Sequence, residues 1–291
     1  MDPWILASRP KTLPAAIAPV MIGTAMAFGD GVGHFPSALA ALFGALCIQI
    51  ATNFTNDYCD FKKGADTLDR LGPVRATQAG LVSARAMISA AILVFLLAAL
   101  ACVYLVFRGG SAIAIIGVVS VLSGIFYTAG PRPLAYMGLG ELFVFIFFGP
   151  VAVAGTYFVQ ALEINMAVVV AGLGTGFLSC AILAVNNLRD IDGDAKAGKM
   201  TLAVRFGKAF AAREYLVCIM AASLTPFAVN LITKDHDAIA AASLVGIMAI
   251  GAVQTVFTGQ GAVLNKILAR TGVLLLVYSV LFSAGWVLCS R

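Results

Sequence analysis

Hydrophobic residues fall into nine long runs along the chain, separated by polar breaks that are mostly short. The runs cover approximately residues 12–29, 35–55, 86–107, 111–128, 139–159, 166–188, 214–232, 237–257 and 267–288. About 20 apolar residues in a helix cross a hydrocarbon core of about 30 Å, so each run is long enough to span a membrane. The pattern predicts an all-α, polytopic membrane protein with nine transmembrane helices in a single domain, residues 1–291.

The composition supports this prediction. Hydrophobic residues make up 61% of the chain and charged residues 11%, against roughly 25% charged residues in an average soluble domain. A disordered chain is also excluded, because it needs low hydrophobicity and high charge to stay solvated. The first run could be a cleaved signal peptide, but Pro14 and Pro19 inside it and eight further runs behind it favour a retained helix.

The basic residues are distributed very unevenly between the two sides of the predicted membrane. If nine helices alternate across it, 16 of the 19 Lys and Arg residues fall on one side, and only Arg108, Lys234 and Arg291 fall on the other. Positive charge accumulates in cytoplasmic loops. The N-terminus and the two long loops, 56–85 and 189–213, are therefore expected in the cytoplasm and the C-terminus outside. We expect the bilayer, and not a nucleic acid, to be the partner of this positively charged chain.

Two acidic clusters follow the second and the sixth apolar runs. The first contains Asn53, Asn56, Asp57, Asp60, Asp66 and Asp69, and the second contains Asn186, Asn187, Asp190, Asp192 and Asp194. Asn186, Asp190 and Asp194 are spaced i, i+4 and i+8, so they share one face of a helix. The first cluster repeats the i, i+4 spacing at Asn56 and Asp60, which suggests a duplicated half.

Carboxylates stacked near a helix C-terminus repel one another and the negative end of the helix dipole, so a cation is expected between them. Oxygen ligands on two facing helices suit Mg²⁺, which completes its coordination with water and phosphate oxygens. Neighbouring basic residues would balance the phosphate charge; they are Lys62, Lys63, Arg132, Arg189, Lys199 and Arg205. The clusters therefore predict a diphosphate site at the membrane edge, with ordinary solvated loop charges as the alternative.

These motifs resemble those of the UbiA superfamily of intramembrane prenyltransferases. Asn56 and Asp60 approximate its first motif, Asn-x3-Asp-x3-Asp, although the third acid, Asp66, comes two residues late. The second motif, Asp-x3-Asp-x3-Gly, is matched in full by Asp190, Asp194 and Gly198. Residues 8–14, 56–66, 72–75, 127–141 and 186–202 resemble one branch, the 1,4-dihydroxy-2-naphthoate polyprenyltransferases of menaquinone synthesis.

The resemblance implies a fold, a cofactor and a reaction. It implies nine helices around a central cavity, two Mg²⁺ ions held by the paired motifs, and a polyprenyl diphosphate whose tail enters the bilayer of the cell inner membrane. It also implies that 1,4-dihydroxy-2-naphthoate is prenylated at its carboxyl-bearing carbon, with loss of CO₂ and diphosphate, to give demethylmenaquinone.

Roles for individual residues are hypotheses at this point. The candidate metal ligands are Asn56, Asp57, Asp60, Asp66, Asn186, Asp190 and Asp194. Arg132 and Lys199 would bind diphosphate oxygens, and the supporting substrate-binding candidates are Asn187, Lys62, Lys63 and Arg189. Tyr127 could stabilise an allylic carbocation through its ring face. Arg9 or Lys11 could receive the acceptor carboxylate or anchor the chain to the membrane, and Glu141 is an intramembrane acid without an assigned role.

Three other functions stay open at this stage. The same scaffold could prenylate 4-hydroxybenzoate, homogentisate or haem. A CDP-alcohol phosphotransferase would need one tightly spaced acidic motif, whereas this chain has two separate clusters. A cation transporter would favour acids near the bilayer midplane, whereas these acids lie at helix ends.

Overall fold

The structure, a computed structural model, describes residues 2–64 and 71–290, and every regular element in them is helical. The α-helices are α1 (Pro3–Ser8), α2 (Pro14–Gly29), α3 (Phe35–Lys63), α4 (Ala84–Thr128), α5 (Gly140–Phe147), α6 (Pro150–Ala161), α7 (Met166–Lys196), α8 (Leu202–Phe206), α9 (Lys208–Thr233), α10 (Val245–Met248), α11 (Ile250–Thr258) and α12 (Leu264–Cys289). Short 3₁₀ helices cover Pro10–Thr12, Leu134–Met137, Asp237–Leu244 and Gly261–Val263.

Nine membrane crossings can be traced through residues 2–64 and 71–290. Seven helical stretches are long and apolar enough to span a membrane, and Pro3–Thr12 with Pro14–Gly29 forms a further one, bent by 53°. One of the seven, Ala84–Thr128, has 45 residues. At 1.5 Å per residue it is about 68 Å long, more than twice the thickness of a hydrocarbon core of about 30 Å. It therefore supplies two crossings, and the predicted all-α architecture is confirmed.

Gly110 divides α4 into two limbs. Its backbone angles, φ 68° and ψ −156°, lie in a region that only glycine adopts readily. A Cβ at Gly110 would meet no atom within 4 Å, so the backbone conformation and not a lack of space requires glycine there. The chain reverses at this residue, as the separate apolar runs 86–107 and 111–128 predict.

The two acidic clusters lie largely on helices, although the sequence predicts that loops start at residues 56 and 189. α3 continues to Lys63 and α7 continues to Lys196, in each case beyond the end of the apolar run. Gly64 ends α3 in the left-handed conformation and donates its N–H to the Asp60 carbonyl. The continuous helix α7 places Asn186, Asp190 and Asp194 on one face, as their spacing predicts.

Two of the predicted spans are interrupted by breaks. Gly149 is not helical and separates α5 from α6, whose first residue is Pro150. The eighth span begins as the 3₁₀ helix Asp237–Leu244, and a second break separates α10 from α11. Near that break the Met248 carbonyl accepts a hydrogen bond of 2.9 Å from the guanidinium of the exposed Arg270, which gives this carbonyl a partner.

The helix α7 occupies the centre of the bundle, where 72% of its most apolar window is buried. It packs against α2, α5, α6, α9 and α12. Gly174 makes one of these contacts possible, because a Cβ there would overlap the Tyr278 side chain. Large apolar side chains such as Leu100, Phe107 and Leu231 are exposed on the outside of the bundle. Such a surface is stable in lipid, and the chain is a multi-pass membrane protein.

Candidate active site

A cavity of about 390 Å³ opens between α2, α3, α4, α5, α6 and α7. One end of it, called the mouth here, lies at the C-terminal ends of α3, the second limb of α4, and α7. The polar side chains that line the mouth are Arg9, Asn53, Asn56, Asp60, Arg75, Tyr127, Thr128, Tyr136, Asn186, Asp194 and Lys199. The remaining wall is mostly apolar. The shape suits a ligand with an anionic head and a long apolar tail.

The first acidic cluster contributes Asn56 and Asp60 to the mouth. Arg75 donates from its guanidinium to Asp60 Oδ2 at 3.1 Å. Asn56 accepts a hydrogen bond from the Thr128 hydroxyl through its side-chain oxygen, which ties the end of α3 to the end of α4. Asp66, the predicted third acid of this cluster, lies outside the described residues.

Asp57 has a different role from the metal ligand that the sequence predicts. Its carboxylate is buried, and its two oxygens accept the backbone N–H groups of Ala76 at 3.2 Å and Thr77 at 3.1 Å. It does not line the cavity. In an α-helix adjacent residues point in different directions, so Asp57 faces the loop while Asn56 faces the mouth. Asp57 therefore holds the loop that carries Arg75.

Basic side chains also pair with the carboxylates of the second acidic cluster. Asp194 pairs with Lys199 Nζ at 3.4 Å, and both residues line the mouth. Arg189 donates to both oxygens of Asp190, with an Nε–Oδ1 distance of 2.8 Å, and also to Asn186 Oδ1 at 2.8 Å. Asn186 lines the mouth, whereas Asp190 is turned towards the buried Arg189.

Asn187, a predicted substrate-binding residue, points away from the mouth. Its Nδ2 donates to Glu141 Oε1 at 2.7 Å, and both residues are buried. This contact joins the start of α5 to α7 and gives the intramembrane acid Glu141 a partner. A structural role for Asn187 replaces the predicted substrate contact, because one helical position cannot face both the bundle and the mouth.

The predicted basic residues divide into those that reach the mouth and those that do not. Arg9 lines the cavity, whereas Lys11 does not. Lys62 and Arg132 are exposed, and neither lines the cavity. Lys63 donates to the Thr128 carbonyl at 2.7 Å and lies over the Tyr136 ring, so it braces the rim.

Arg205 also acts at the rim rather than inside the cavity. It donates to the carbonyls of Met200 at 3.0 Å and Met137 at 2.9 Å, and the Met200 N–H donates to the Tyr136 carbonyl. These bonds join the loop after α4 to the loop after α7. The turn that carries Lys199 is thereby fixed beside the mouth.

Tyr127 lines the cavity beside the acidic groups. A Cβ on Gly140 would lie 3.1 Å from the Tyr127 hydroxyl oxygen, so the start of α5 packs closely against the phenol. Phe126, the preceding residue, is exposed on the outside of the bundle. Its exposure agrees with packing at the membrane interface.

Arg75 is the main site residue that the sequence pattern does not identify. It lies in a segment, 72–75, that resembles the prenyltransferase branch, but an arginine in a charged loop has no distinguishing pattern. Its position depends on the fold of residues 71–83 across the end of α3. Asn53 is a member of an acidic cluster to which the sequence assigns no role, and it donates to the Ser8 carbonyl at 2.9 Å beside Arg9.

The donor set at the mouth fits Mg²⁺. Asn56, Asp60, Asn186 and Asp194 supply only carboxylate and amide ligands, which are hard donors. In the described part of the chain, no three His, Cys, Asp or Glu side chains lie close enough together to hold an ion by themselves. Such an open arrangement is typical of Mg²⁺ sites in which phosphate oxygens complete the coordination.

Comparisons with known proteins agree on one family. The sequence pattern of the UbiA prenyltransferase family matches residues 16–270. The chain is 38% identical over 277 residues to a 1,4-dihydroxy-2-naphthoate octaprenyltransferase of Mycobacterium tuberculosis, covering 95% of this chain and 94% of that protein. It is 40% identical over 242 residues to the Escherichia coli protein of the same name, covering 80% of this chain and 78% of that protein.

The fold is shared with solved structures. A UbiA homolog from Archaeoglobus fulgidus bound to GPP and Mg²⁺ superposes with a TM-score of 0.68 at 16% sequence identity, covering 98% of this chain and 99% of that one. The apo structure of a UbiA homolog from Aeropyrum pernix gives a TM-score of 0.65, covering 93% of this chain and 97% of that one.

Proposed function

This chain belongs to the UbiA prenyltransferase family, and we infer that it transfers a polyprenyl group from a polyprenyl diphosphate to 1,4-dihydroxy-2-naphthoate. A bond forms between C1 of the prenyl group and the carboxyl-bearing ring carbon, while diphosphate and CO₂ leave. The product is a prenylated naphthoquinol, whose oxidised form is demethylmenaquinone. The acceptor is inferred from the relatives that carry this activity in their names.

One observation carries this proposal: the same cavity joins a charged mouth to an apolar body. Asp60, Asp194, Arg75 and Lys199 lie at one end, and apolar side chains of α3, α4 and α6 continue the wall. A polyprenyl diphosphate has this division of charge and apolar length. The lining runs from Arg9 to Leu268, so we treat the whole chain as one catalytic unit.

Asn56, Asp60, Asn186 and Asp194 would hold Mg²⁺ at the mouth, and Asp190 would join them if Arg189 released it. Bound Mg²⁺ would supply positive charge to balance the charge of the leaving diphosphate. The Archaeoglobus homolog binds Mg²⁺ together with GPP, which supports metal use in this fold. Two ions would match the two motifs.

In residues 2–64 and 71–290, the cationic side chains that line the mouth are Arg9, Arg75 and Lys199. We assign Arg75 and Lys199 to the diphosphate oxygens, because each is already paired with a carboxylate of the metal set. If the carboxylates held Mg²⁺, the two cations would be available to the diphosphate oxygens. Charged donors fixed in a site of restricted water access stabilise a leaving group more strongly than they would in bulk water.

The prenyl carbocation forms beside Tyr127, where the aromatic ring face can stabilise positive charge. The apolar body of the cavity surrounds the tail and excludes water, so the cation reacts with the aromatic acceptor rather than with solvent. Arg9 is assigned to the acceptor carboxylate in preference to Lys11, since only Arg9 lines the mouth. Loss of that carboxyl as CO₂ then restores the aromatic ring.

We propose that the mouth faces the cytoplasm. The long loops on the mouth side carry most of the Lys and Arg residues, and such loops are retained in the cytoplasm. The N-terminus lies on the mouth side, and with nine crossings the C-terminus lies outside. A diphosphate made in the cytoplasm reaches the site without crossing the membrane.

The proposal is tested with the purified full chain in detergent, Mg²⁺, a polyprenyl diphosphate and carboxyl-labelled 1,4-dihydroxy-2-naphthoate. We expect equal amounts of labelled CO₂ and prenylated naphthoquinone after air oxidation, and neither product with a chelator. Prenylation of 4-hydroxybenzoate or homogentisate in place of the naphthoate would assign the protein to another branch of the family. No transfer to any acceptor from a folded protein would reject a prenyltransferase activity.

A further inference from the structure

The cavity extends through most of the membrane thickness. Its wall includes Asp60 near the end of α3 and Ala41 near its start, and these residues lie on one unbroken helix. At 1.5 Å per residue the interval corresponds to about 28 Å, close to the hydrocarbon thickness of about 30 Å. The deep end is lined by small side chains of α3 and by Gly155, Thr156 and Val159 of α6.

Gly155 differs from the other glycines in the cavity wall. A Cβ on Gly44 would contact Ala101 at 3.6 Å, a Cβ on Gly124 would lie 2.5 Å from Thr52 Oγ1, and a Cβ on Gly117 would overlap Cys102. Gly117 and Gly124 therefore let helices pack closely, whereas the contact at Gly44 is an ordinary van der Waals distance. A Cβ on Gly155 would meet no heavy atom within 4 Å, so helix packing does not require a glycine there.

Backbone conformation does not require glycine at position 155 either. Gly155 lies inside α6, and it is absent from the residues with positive φ. A glycine within a helix costs about 1 kcal/mol relative to alanine. The structural effect of Gly155 that is left is the empty space beside its Cα, which belongs to the apolar part of the cavity.

We propose that Gly155 is a specificity-determining residue, whose missing side chain leaves room at the deep end of the cavity for the distal isoprene units of a long polyprenyl chain. This inference rests on the proposed function, because it assumes that the tail of a prenyl diphosphate enters from the mouth. A larger residue at position 155 would shorten the cavity without touching the mouth, so only long donors would be excluded.

The test compares the wild-type chain with Gly155→Ala, Gly155→Leu and Gly155→Phe, using farnesyl and octaprenyl diphosphate as donors. Ala228→Leu is the matched control. Ala228 is exposed on the lipid-facing side of α9, so this change places a leucine side chain outside the cavity. For Gly155→Leu and Gly155→Phe we expect kcat/KM for octaprenyl diphosphate to fall about tenfold or more, with farnesyl diphosphate nearly unaffected. Gly155→Ala should lie between these variants and wild type.

Binding of the two donors is measured in parallel with Mg²⁺ and without any acceptor, as protection of the folded protein against thermal unfolding. Selective loss of octaprenyl protection in Gly155→Leu supports the inference even if the naphthoate is not the acceptor, which separates the two proposals. Equal losses for both donors, no loss for either, or the same selectivity in Ala228→Leu would overturn it.

Discussion

Arg75 and Asp60 form an ion pair across the mouth, with 3.1 Å between a guanidinium nitrogen and Oδ2, and the two side chains are only 8% and 17% exposed. Lys199 and Asp194 repeat the relationship on the other side of the mouth. Both carboxylates, which belong to the proposed metal set, are therefore paired with cations of the proposed diphosphate set. Binding of metal and of diphosphate must separate the same pairs, so each ligand should strengthen the binding of the other by the same factor.

Arg75→Gln is expected to change the two affinities in opposite directions. In this variant Mg²⁺ no longer has to displace the Arg75 guanidinium from Asp60, so Mg²⁺ alone should bind more tightly. Farnesyl diphosphate with Mg²⁺ should bind about tenfold more weakly, because a charge-assisted hydrogen bond is lost. Calorimetric titration in detergent without acceptor measures both. Arg75→Lys, which keeps the charge, should give intermediate affinities. Weaker binding of Mg²⁺ alone in Arg75→Gln would refute the idea that Mg²⁺ and Arg75 compete for Asp60.

Asp57→Ala tests the role that the structure gives this residue in place of metal binding. Removal of the carboxylate leaves the buried N–H groups of Ala76 and Thr77 without acceptors, at a cost of about 1–3 kcal/mol each before relaxation. The loop that carries Arg75 should loosen, so protease cleavage within residues 71–83 should increase and the KM for prenyl diphosphate should rise. Unchanged cleavage together with a large rise in the Mg²⁺ requirement would restore the metal-ligand assignment.

The number of crossings could be predicted from sequence because each span is a separate apolar run with a clear end. The break at Gly110 appears as a short polar and glycine interval between two such runs. The break in span 8 could not be predicted from apolar character, because a distant residue, Arg270, supplies a hydrogen bond to the Met248 carbonyl beside it. The ends that hydropathy predicts for α3 and α7 are too early. Hydropathy shows where apolar character stops, whereas the helical hydrogen bonding continues beyond that point.

The site was predictable where helical periodicity determines direction. Asn186 and Asp194 both reach the mouth because they lie about two turns apart on one face of α7. Asn56 and Asp60, about one turn apart on α3, share a face in the same way. Asp57 and Asn187 were misplaced because their neighbours in sequence belong to the mouth while their own side chains point elsewhere. Arg75 was missed because its position comes from a loop, whose course depends on tertiary contacts.

Asp60→Asn and Asp194→Asn should each retain normal membrane insertion and lose prenyl transfer by at least about 100-fold, since each change removes a negative charge from the proposed Mg²⁺ site. Added Mg²⁺ should recover part of the loss. Asp192→Asn is the matched control on α7, because its side chain is 81% exposed and lies 3.9 Å from Lys208 at the surface. Turnover near wild type in either mouth variant would reject the metal assignment.

Arg132→Ala should have little effect, although the sequence analysis makes Arg132 a candidate for binding diphosphate oxygens. The side chain is exposed and does not line the cavity. Lys199→Ala should raise the KM for prenyl diphosphate about tenfold, since Lys199 lies in the mouth. Steady-state kinetics of the two variants, with membrane insertion as the control, compare the positions directly. A larger effect of Arg132→Ala would mean that its loop closes over the mouth when substrate binds.

Tyr127 allows the ring and the hydroxyl to be tested separately. If the ring face stabilises the carbocation, Tyr127→Phe should keep most of the activity, because phenylalanine presents a similar π surface at the same place. Tyr127→Leu fills comparable space without a quadrupole and should lower kcat by about five- to thirtyfold, the equivalent of about 1–2 kcal/mol of cation–π stabilisation. The KM for the prenyl diphosphate should change little, since the charge develops only as the C–O bond breaks. Equal losses in both variants would instead assign the effect to the hydroxyl, which lies against Gly140 at the start of α5.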